Sequence, residues 1–165
     1  MISDLRRSVA FRRKVRAAGL RIVGIGTLPV DAIQIWREDL GSTVTFPIRR
    51  SPHYNLLVWH QNGGVRFTIE EPGLHAFRES QYYRWQVALR GVQHPRPDGW
   101  IEAMAKRLLR LHDDIQQHGY RCRCVADRIA VFPDNRIWDG GHRLACLAAE
   151  GWVLVPVVIL ERRKS

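Results

Sequence analysis

The chain has 165 residues, of which 45% are apolar and 25% are charged. This composition excludes a disordered or fibrous chain, and the length fits a single globular domain spanning residues 1–165. Lysine and arginine number 26 against 16 acidic residues, giving a formal net charge of +10. Such a charge favours a polyanionic partner, whether nucleic acid, an acidic membrane surface or a phosphorylated small molecule.

Cysteine usage and hydropathy predict a cytoplasmic protein. There are 3 cysteines, and Cys122 and Cys124 lack the two-residue spacer of redox and zinc motifs, so we expect reduced thiols and no zinc site at these cysteines. The most apolar stretch, residues 20–36, is interrupted by charged residues, glycine and proline. We therefore expect neither a signal peptide nor a transmembrane segment.

The positive charge is concentrated at the start of the chain. Residues 1–21 contain seven basic residues and one acidic residue. Residues 2–18 predict a basic helix, although their apolar residues do not keep to one face. Two interpretations remain open for residues 1–18, an arm that binds nucleic acid or a membrane surface and a solvated leader helix.

Residues 19–97 are predicted to be rich in strands. Arg21–Ile25 and Thr43–Ile48 have the apolar content or alternation of strands. Tyr54–His60 and Val65–Ile69 flank an Asn-Gly pair, which indicates a β-hairpin because both turn residues tolerate positive φ.

A second group of elements is mainly helical. A short helix is predicted around Gln81–Leu89, and the prolines in His94–Gly99 indicate a loop. Asp98 is the predicted N-cap of an amphipathic helix, Trp100–His118, whose apolar residues recur with helical spacing and which Gly119 terminates.

The C-terminal part reads strand, turn, strand, helix, strand. Arg128–Phe132 and Arg136–Trp138 are predicted strands joined by the tight turn Pro133–Asn135. His142–Glu150 is a predicted helix, and Val153–Leu160 is an almost continuous β-branched strand.

The segment Asp139-Gly140-Gly141-His142-Arg143 lies where a strand turns into a helix. Free backbone N–H groups and the positive end of the helix dipole make such a position suited to binding a phosphate group. The glycines permit close approach of an anion, the arginine and histidine add donors, and the aspartate orients them or helps hold a metal. The alternative is a plain strand-to-helix turn with Asp139 as the cap.

These residues resemble a known signature. The run Asn135–Leu147, followed by Gly151 and Val155-Pro156-Val157-Val158, resembles the ParB/sulfiredoxin-like superfamily, and the likeness covers about residues 98–161. The resemblance implies an α+β fold, a mixed sheet flanked by helices, here with an N-terminal β-rich extension. Members of that superfamily include nucleotide-binding partition proteins, sulfiredoxins, a free serine kinase and domains labelled nucleases.

The resemblance also implies roles for individual residues. Gly140, Gly141, His142 and Arg143 would contact the phosphates of ATP or CTP, with Mg²⁺, and Asp139 and His142 are the candidate catalytic residues of the loop. The implied activity is that of a small-molecule kinase or an NTPase, with a DNA-binding or nuclease-like protein as the alternative.

Two differences from the superfamily reduce the number of functions that the resemblance implies. Sulfiredoxins carry a reactive cysteine within the loop, whereas here His142 follows Gly141 directly, so repair of sulfinic acid is not expected. Cys146 is expected to be a small core residue. The sequence shows no helix-turn-helix or dimerisation region of the partition proteins, so we do not expect a chromosome-partition function.

Two further clusters are candidates for substrate contacts. Arg50, Ser51 and His53 lie in a basic turn that would contact an acidic substrate or the remote end of the nucleotide. The alternative is a surface loop fixed by Pro52. Glu79 is a candidate general base for transfer of phosphate to a hydroxyl, with an exposed capping acid as the alternative.

Overall fold

The computed structural model describes residues 2–39, 42–62, 74–93 and 99–163. The fold is α+β, as predicted, with a four-stranded mixed sheet, a two-stranded sheet and flanking helices. In chain order the helices and strands are α1 (Ile2–Ala17), β1 (Leu20–Pro29), β2 (Gln34–Asp39), β3 (Ser42–Pro47), α2 (Pro52–Gln61), α3 (Leu74–Arg78), α4 (Gln81–Gln93), α5 (Trp100–His118), β4 (Ile129–Val131), β5 (Ile137–Asp139), α6 (Gly141–Ala149) and β6 (Leu154–Arg162).

The main sheet has the strand order β1-β6-β4-β5. Strand β6 pairs antiparallel with β1, from Leu20 opposite Arg162 to Pro29 opposite Leu154, and parallel with β4. Strands β4 and β5 form an antiparallel pair, as the tight turn between them predicts. The β-branched sequence of β6 suits its inner position in the sheet, because side chains on both of its faces are buried.

Side chains alternate along the strands between two apolar layers. Ile129 and Val157 face the larger core, which α2, α5 and α6 cover. Ala130 and Val158 point to the opposite face and pack in a second cluster with Phe11 of α1. Because strand residues alternate in direction, α1 covers the face of the sheet opposite α5 and α6.

The basic N-terminal helix is therefore packed against the sheet. Phe11 and Val15 of α1 are 6% and 3% exposed, and the Phe11 ring meets Trp138 of β5 edge-on, with centroids 6.2 Å apart. A solvated leader helix is thus the wrong interpretation of this segment. Two buried positions four residues apart are enough to dock a helix even without a continuous apolar face.

The sheet formed by β2 and β3 confirms the strand predicted over Thr43–Ile48. It is joined to the main sheet at β5, where the Trp36 indole Nε1 donates a hydrogen bond to the Ile137 carbonyl over 2.5 Å. The backbone N–H of Gln34 also donates to the carbonyl of Asn135.

One predicted strand is wrong. Tyr54–His60 lies within helix α2, which begins after Ser51, and the predicted partner strand Val65–Ile69 lies outside the described residues. The Ser51 side chain accepts a hydrogen bond from the backbone N–H of Tyr54, and proline follows at the first helical position. These are strong helix-start signals, and they outweigh the hairpin signal of the later Asn-Gly pair.

The remaining helix predictions agree with the structure. Helix α5 has the predicted bounds and ends at Gly119, and α4 extends beyond the predicted Gln81–Leu89. The residue before α5 is Gly99, and the predicted cap Asp98 lies outside the described residues. None of the helices in the described part of the chain combines the length and apolarity of a bilayer-spanning segment.

Candidate phosphate-binding site

The loop after β5 has the geometry that its two glycines permit. Gly140 is left-handed, with φ of 96°, and α6 begins at Gly141. A Cβ on Gly140 would lie 3.2 Å from Ile129 Cδ1 and 3.3 Å from Arg143 Nη2, so it would displace these side chains slightly. The left-handed φ is the stronger reason for glycine at this position. The first backbone N–H groups of α6 have no preceding helical carbonyl to bond, so they are oriented toward whatever lies before the helix.

The loop opens onto a cleft of about 1150 Å³. Helices from both faces of the main sheet form its walls. Helix α1 contributes Arg7 and Lys14, and α5 with the segment after it contributes residues between Met104 and Asp127. Among the described residues, six basic side chains line the cleft: Arg7, Lys14, Arg107, Arg121, Arg123 and Arg143. Three acidic side chains also line it, Asp114, Asp127 and Asp139, so with neutral histidines the lining has a net positive charge.

Asp139 connects the loop to α1. Its Oδ1 accepts the backbone N–H of Gly140 at 2.8 Å, and its Oδ2 accepts a hydrogen bond from Lys14 Nζ at 2.7 Å. Burial alone would raise the pKa of this carboxyl, but Lys14 and the Gly140 N–H outweigh burial and hold the pKa below its usual value. Asp139 is therefore ionised at neutral pH, and its carboxylate holds the Gly140 backbone and the Lys14 side chain at the start of the loop.

Arg143 lies in the first turn of α6 and lines the cleft. Its Nη1 donates a hydrogen bond to the Ala126 carbonyl at 2.6 Å, which fixes the guanidinium beside the loop. A guanidinium has five N–H donors, so this contact uses a small part of its capacity for bonding phosphate.

His142 lies between the cleft and the core. Its ring is 5.0 Å from that of His53 on α2, which in turn meets the rings of Tyr82 and Trp85 edge-on. Burial, followed by the charge of Arg107, lowers the pKa of His142 to about 4, although Asp139 opposes the shift. Burial and His142 lower the pKa of His53 to about 3. Both rings are neutral at pH 7, so His142 can donate a hydrogen bond but is a weak base.

The predicted substrate cluster divides in the structure. His53 reaches the loop through its contact with His142, whereas Ser51 is fully buried and caps α2. Arg50 is exposed and does not line the cleft, and the neighbouring Arg49 bonds Asp31 and the Ala148 carbonyl at the end of α6. Of the three candidates, only His53 is brought to the loop.

Glu79 is not brought to the loop. Its side chain is 59% exposed, pairs with Arg84 and is absent from the lining of the cleft. Glu79 is thus exposed, as the alternative expected, but the side chain that accepts a backbone N–H at the start of α4 is that of Ser80.

The sequence did not single out several residues that line the cleft. No local motif distinguishes Lys14 from the other basic residues of α1. Arg107 lies on an amphipathic helix, where an arginine is an ordinary surface residue. Arg121 and Arg123 flank Cys122 and belong to no recognisable motif. The available signal was the helical spacing of Arg7, Phe11 and Lys14, which places two cations on the side of α1 that docks.

The cleft also has an apolar part. Met104, Leu111 and Ile115 lie on the side of α5 that lines it, with Tyr120 following the helix. A ligand with charged and uncharged ends could therefore place its anionic groups at Asp139–Arg143 and its less polar end against α5.

Comparisons of the chain with protein-family models, curated proteins and solved structures give no match.

Proposed function

We propose that this protein binds a nucleotide, ATP or CTP, through its phosphates in the cleft at Asp139–Arg143, and that it is a ParB/sulfiredoxin-like kinase of small molecules or NTPase. The observation that supports the proposal is the convergence of the α6 N-terminus, a left-handed glycine and several basic side chains on one cleft. Backbone donors and arginines in this arrangement match phosphate oxygens.

The dimensions of the cleft favour a nucleotide over a lone phosphate. A volume of about 1150 Å³ exceeds what one phosphate group fills, and Met104, Leu111 and Ile115 provide apolar surface for a sugar or base. In the cytoplasm, the setting that we propose and that the three free cysteines fit, nucleotides are the abundant ligands with this combination of groups.

The chemistry that we propose is transfer of the terminal phosphate to a small-molecule acceptor or to water. Asp139, the first residue of the loop, would help hold the Mg²⁺ ion that accompanies the nucleotide, and that ion would supply positive charge to the phosphates. His142, neutral at pH 7, would donate a hydrogen bond to phosphate, and Arg143 would stabilise the negative charge that phosphoryl transfer moves between oxygens.

Nucleotide binding is tested by thermal-shift titration with ATP, CTP and ADP, each with and without Mg²⁺. We expect at least one nucleotide to raise the melting temperature of the wild type and Arg143→Ala to remove most of that increase. Arg110→Ala is the matched control, because Arg110 is exposed on α5 and does not line the cleft. If no nucleotide shifts the wild type, the proposal is wrong.

A second candidate, nucleic-acid binding, is favoured by the exposed side of α1. Arg6, Arg12, Arg13 and Arg16 are exposed there and do not line the cleft. A gel shift with duplex and single-stranded DNA tests it, since phosphate neutralisation makes affinity fall steeply with salt. The variant to use is Arg12→Ala with Arg13→Ala, because truncating α1 would remove the buried Phe11 and Val15. Unchanged binding by this variant would exclude the arm.

A further inference from the structure

Helix α1 presents two cations to the cleft from a fixed position. Arg7, Phe11 and Lys14 are spaced by four and three residues, so they share one side of the helix. Phe11 between them is buried against Trp138, and Arg7 pairs with Asp127, whose Oδ2 also accepts the backbone N–H groups of Arg123 and Cys124. The Phe11 contact and the Arg7–Asp127 ion pair therefore hold the helix in place, and this fixes the backbone position of Lys14.

Lys14 reaches the first residue of the phosphate loop. Its Nζ is 2.7 Å from Asp139 Oδ2 and 5.0 Å from the centroid of the Trp138 ring. The Lys14 side chain is 59% exposed and that of Asp139 34%, so a ligand in the cleft can approach both. Exposed ion pairs are weak because water and salt screen them, whereas phosphate offers an ammonium group stronger charge and several acceptor oxygens.

We propose that Lys14 is a phosphate-binding residue of the cleft and that it exchanges the Asp139 carboxylate for a phosphate group when the ligand binds. The inference rests on the proposed nucleotide site and assigns to it a residue from outside the loop. Lys14 lines the same cleft as Gly140 and Gly141, and the docked helix holds its backbone beside the loop.

Asp139 has a second contact that survives the exchange. Its Oδ1 accepts the Gly140 N–H at 2.8 Å, so the carboxylate keeps its orientation when Lys14 leaves. Asp139 would then be free to help hold Mg²⁺, because Mg²⁺ is commonly held by one or two carboxylates together with the phosphates of its substrate. Without Mg²⁺, Asp139 is a competitor of phosphate for Lys14.

The test is a double-mutant cycle measured by calorimetric titration with ATP and CTP in the absence of Mg²⁺. Lys14→Met keeps the aliphatic stem and removes the charge, and we expect it to weaken binding about tenfold or more. Arg16→Ala is the matched control, because Arg16 is exposed two positions along α1 and does not line the cleft. We expect its affinity to equal that of the wild type.

The Asp139→Asn variant separates exchange from simple electrostatics. Removing the competing carboxylate should strengthen binding without Mg²⁺ in the wild-type background and should have little effect in the Lys14→Met background. If Asp139→Asn strengthens binding equally in both backgrounds, charge repulsion alone explains it and the exchange is wrong.

The two proposals fail in different ways. If the wild type binds neither nucleotide, the nucleotide site is wrong and the role of Lys14 falls with it. If the wild type binds and Arg143→Ala does not, but Lys14→Met binds like the wild type, the site stands and the inference is overturned. Lys14→Arg, which restores the charge, should recover most of the affinity that Lys14→Met loses.

Discussion

Adjacent glycines in the Asp139–Arg143 loop have different roles. Gly140 is left-handed, and a Cβ built on it would lie close to Ile129 and Arg143, whereas nothing lies within 4 Å of a Cβ built on Gly141. The first glycine is thus needed for the fold of the loop. The second is needed only if something must approach the backbone at the start of α6.

We therefore expect alanine substitutions to separate stability from binding. Gly140→Ala should cost about 1–3 kcal/mol of unfolding free energy, because it forces a side chain into the left-handed region. Gly141→Ala should leave the melting temperature nearly unchanged and weaken nucleotide binding, because its Cβ would occupy the space before the helix. Chemical denaturation and calorimetric titration measure the two effects. If Gly141→Ala bound nucleotide with the affinity of the wild type, a contact between phosphate and the Gly141 backbone would be excluded.

The paired histidines predict loss of stability in acid. The folded-state pKa values of His53 and His142 are about 3 and about 4, below the ordinary value of 6.5. The unfolded chain therefore binds more protons than the native protein below about pH 6.5, and stability falls as the pH decreases from there toward pH 4. Urea unfolding at a series of pH values measures this dependence.

A variant isolates the contribution of this pair. His53→Phe keeps an aromatic ring in the cluster and removes one titrating group, so its stability should fall less steeply between pH 6.5 and pH 4. His75→Gln, at an exposed position on α3, is the control and should retain the wild-type slope. Equal slopes for wild type and His53→Phe would show that the cluster does not carry the acid sensitivity.

Sequence periodicity predicted the elements with a continuous apolar face or a β-branched run. Helix α5 and strand β6 are of this kind, and so their positions could be predicted from local patterns. Periodicity did not reveal helix α2, because its apolar residues lack a helical face. The local signal that marks its start is the Ser51 cap followed by Pro52. Local patterns likewise located the strand-to-helix turn at Asp139–Arg143, but the part of the cleft on α1 depends on contacts between residues far apart in sequence, such as Lys14 with Asp139.

Helix α1 should behave as part of the folded core. Phe11→Ala would remove a ring that is 6% exposed and its contact with Trp138, so we expect a loss of about 3–5 kcal/mol. It should also weaken nucleotide binding, since it loosens the helix that carries Lys14. Leu5→Ala is the control: Leu5 is 67% exposed, and its substitution should change neither property. Normal stability of Phe11→Ala would show that α1 is not docked in solution.

The main sheet joins the two ends of the described chain. Strand β6 lies between β1 and β4, and it pairs along its length with β1. The region for which we propose a ParB/sulfiredoxin-like relationship, about residues 98–161, does not include β1, the strand that pairs with one edge of β6. It also omits α1, which covers Ala130, Val158 and Leu160.

We expect a fragment of residues 98–165 to lack a cooperative unfolding transition, while the full chain unfolds in one. In a fragment without β1, the backbone N–H and C=O groups of β6 that pair with β1 have no hydrogen-bond partner. In a fragment without α1, the apolar face of the sheet that α1 covers is exposed to water. Circular dichroism during thermal unfolding measures the difference. A sharp transition in the fragment would show that the region 98–165 is an autonomous unit.

The placement of β6 has a consequence for synthesis of the protein. Translation produces α1, β1 and the Asp139–Arg143 loop before it reaches Leu154–Arg162, the strand that holds β1 and β4 together. A nascent chain carrying every residue that lines the cleft thus still lacks the strand between β1 and β4. The complete sheet should therefore form late, because pairing of segments so distant in sequence must wait for the second of them.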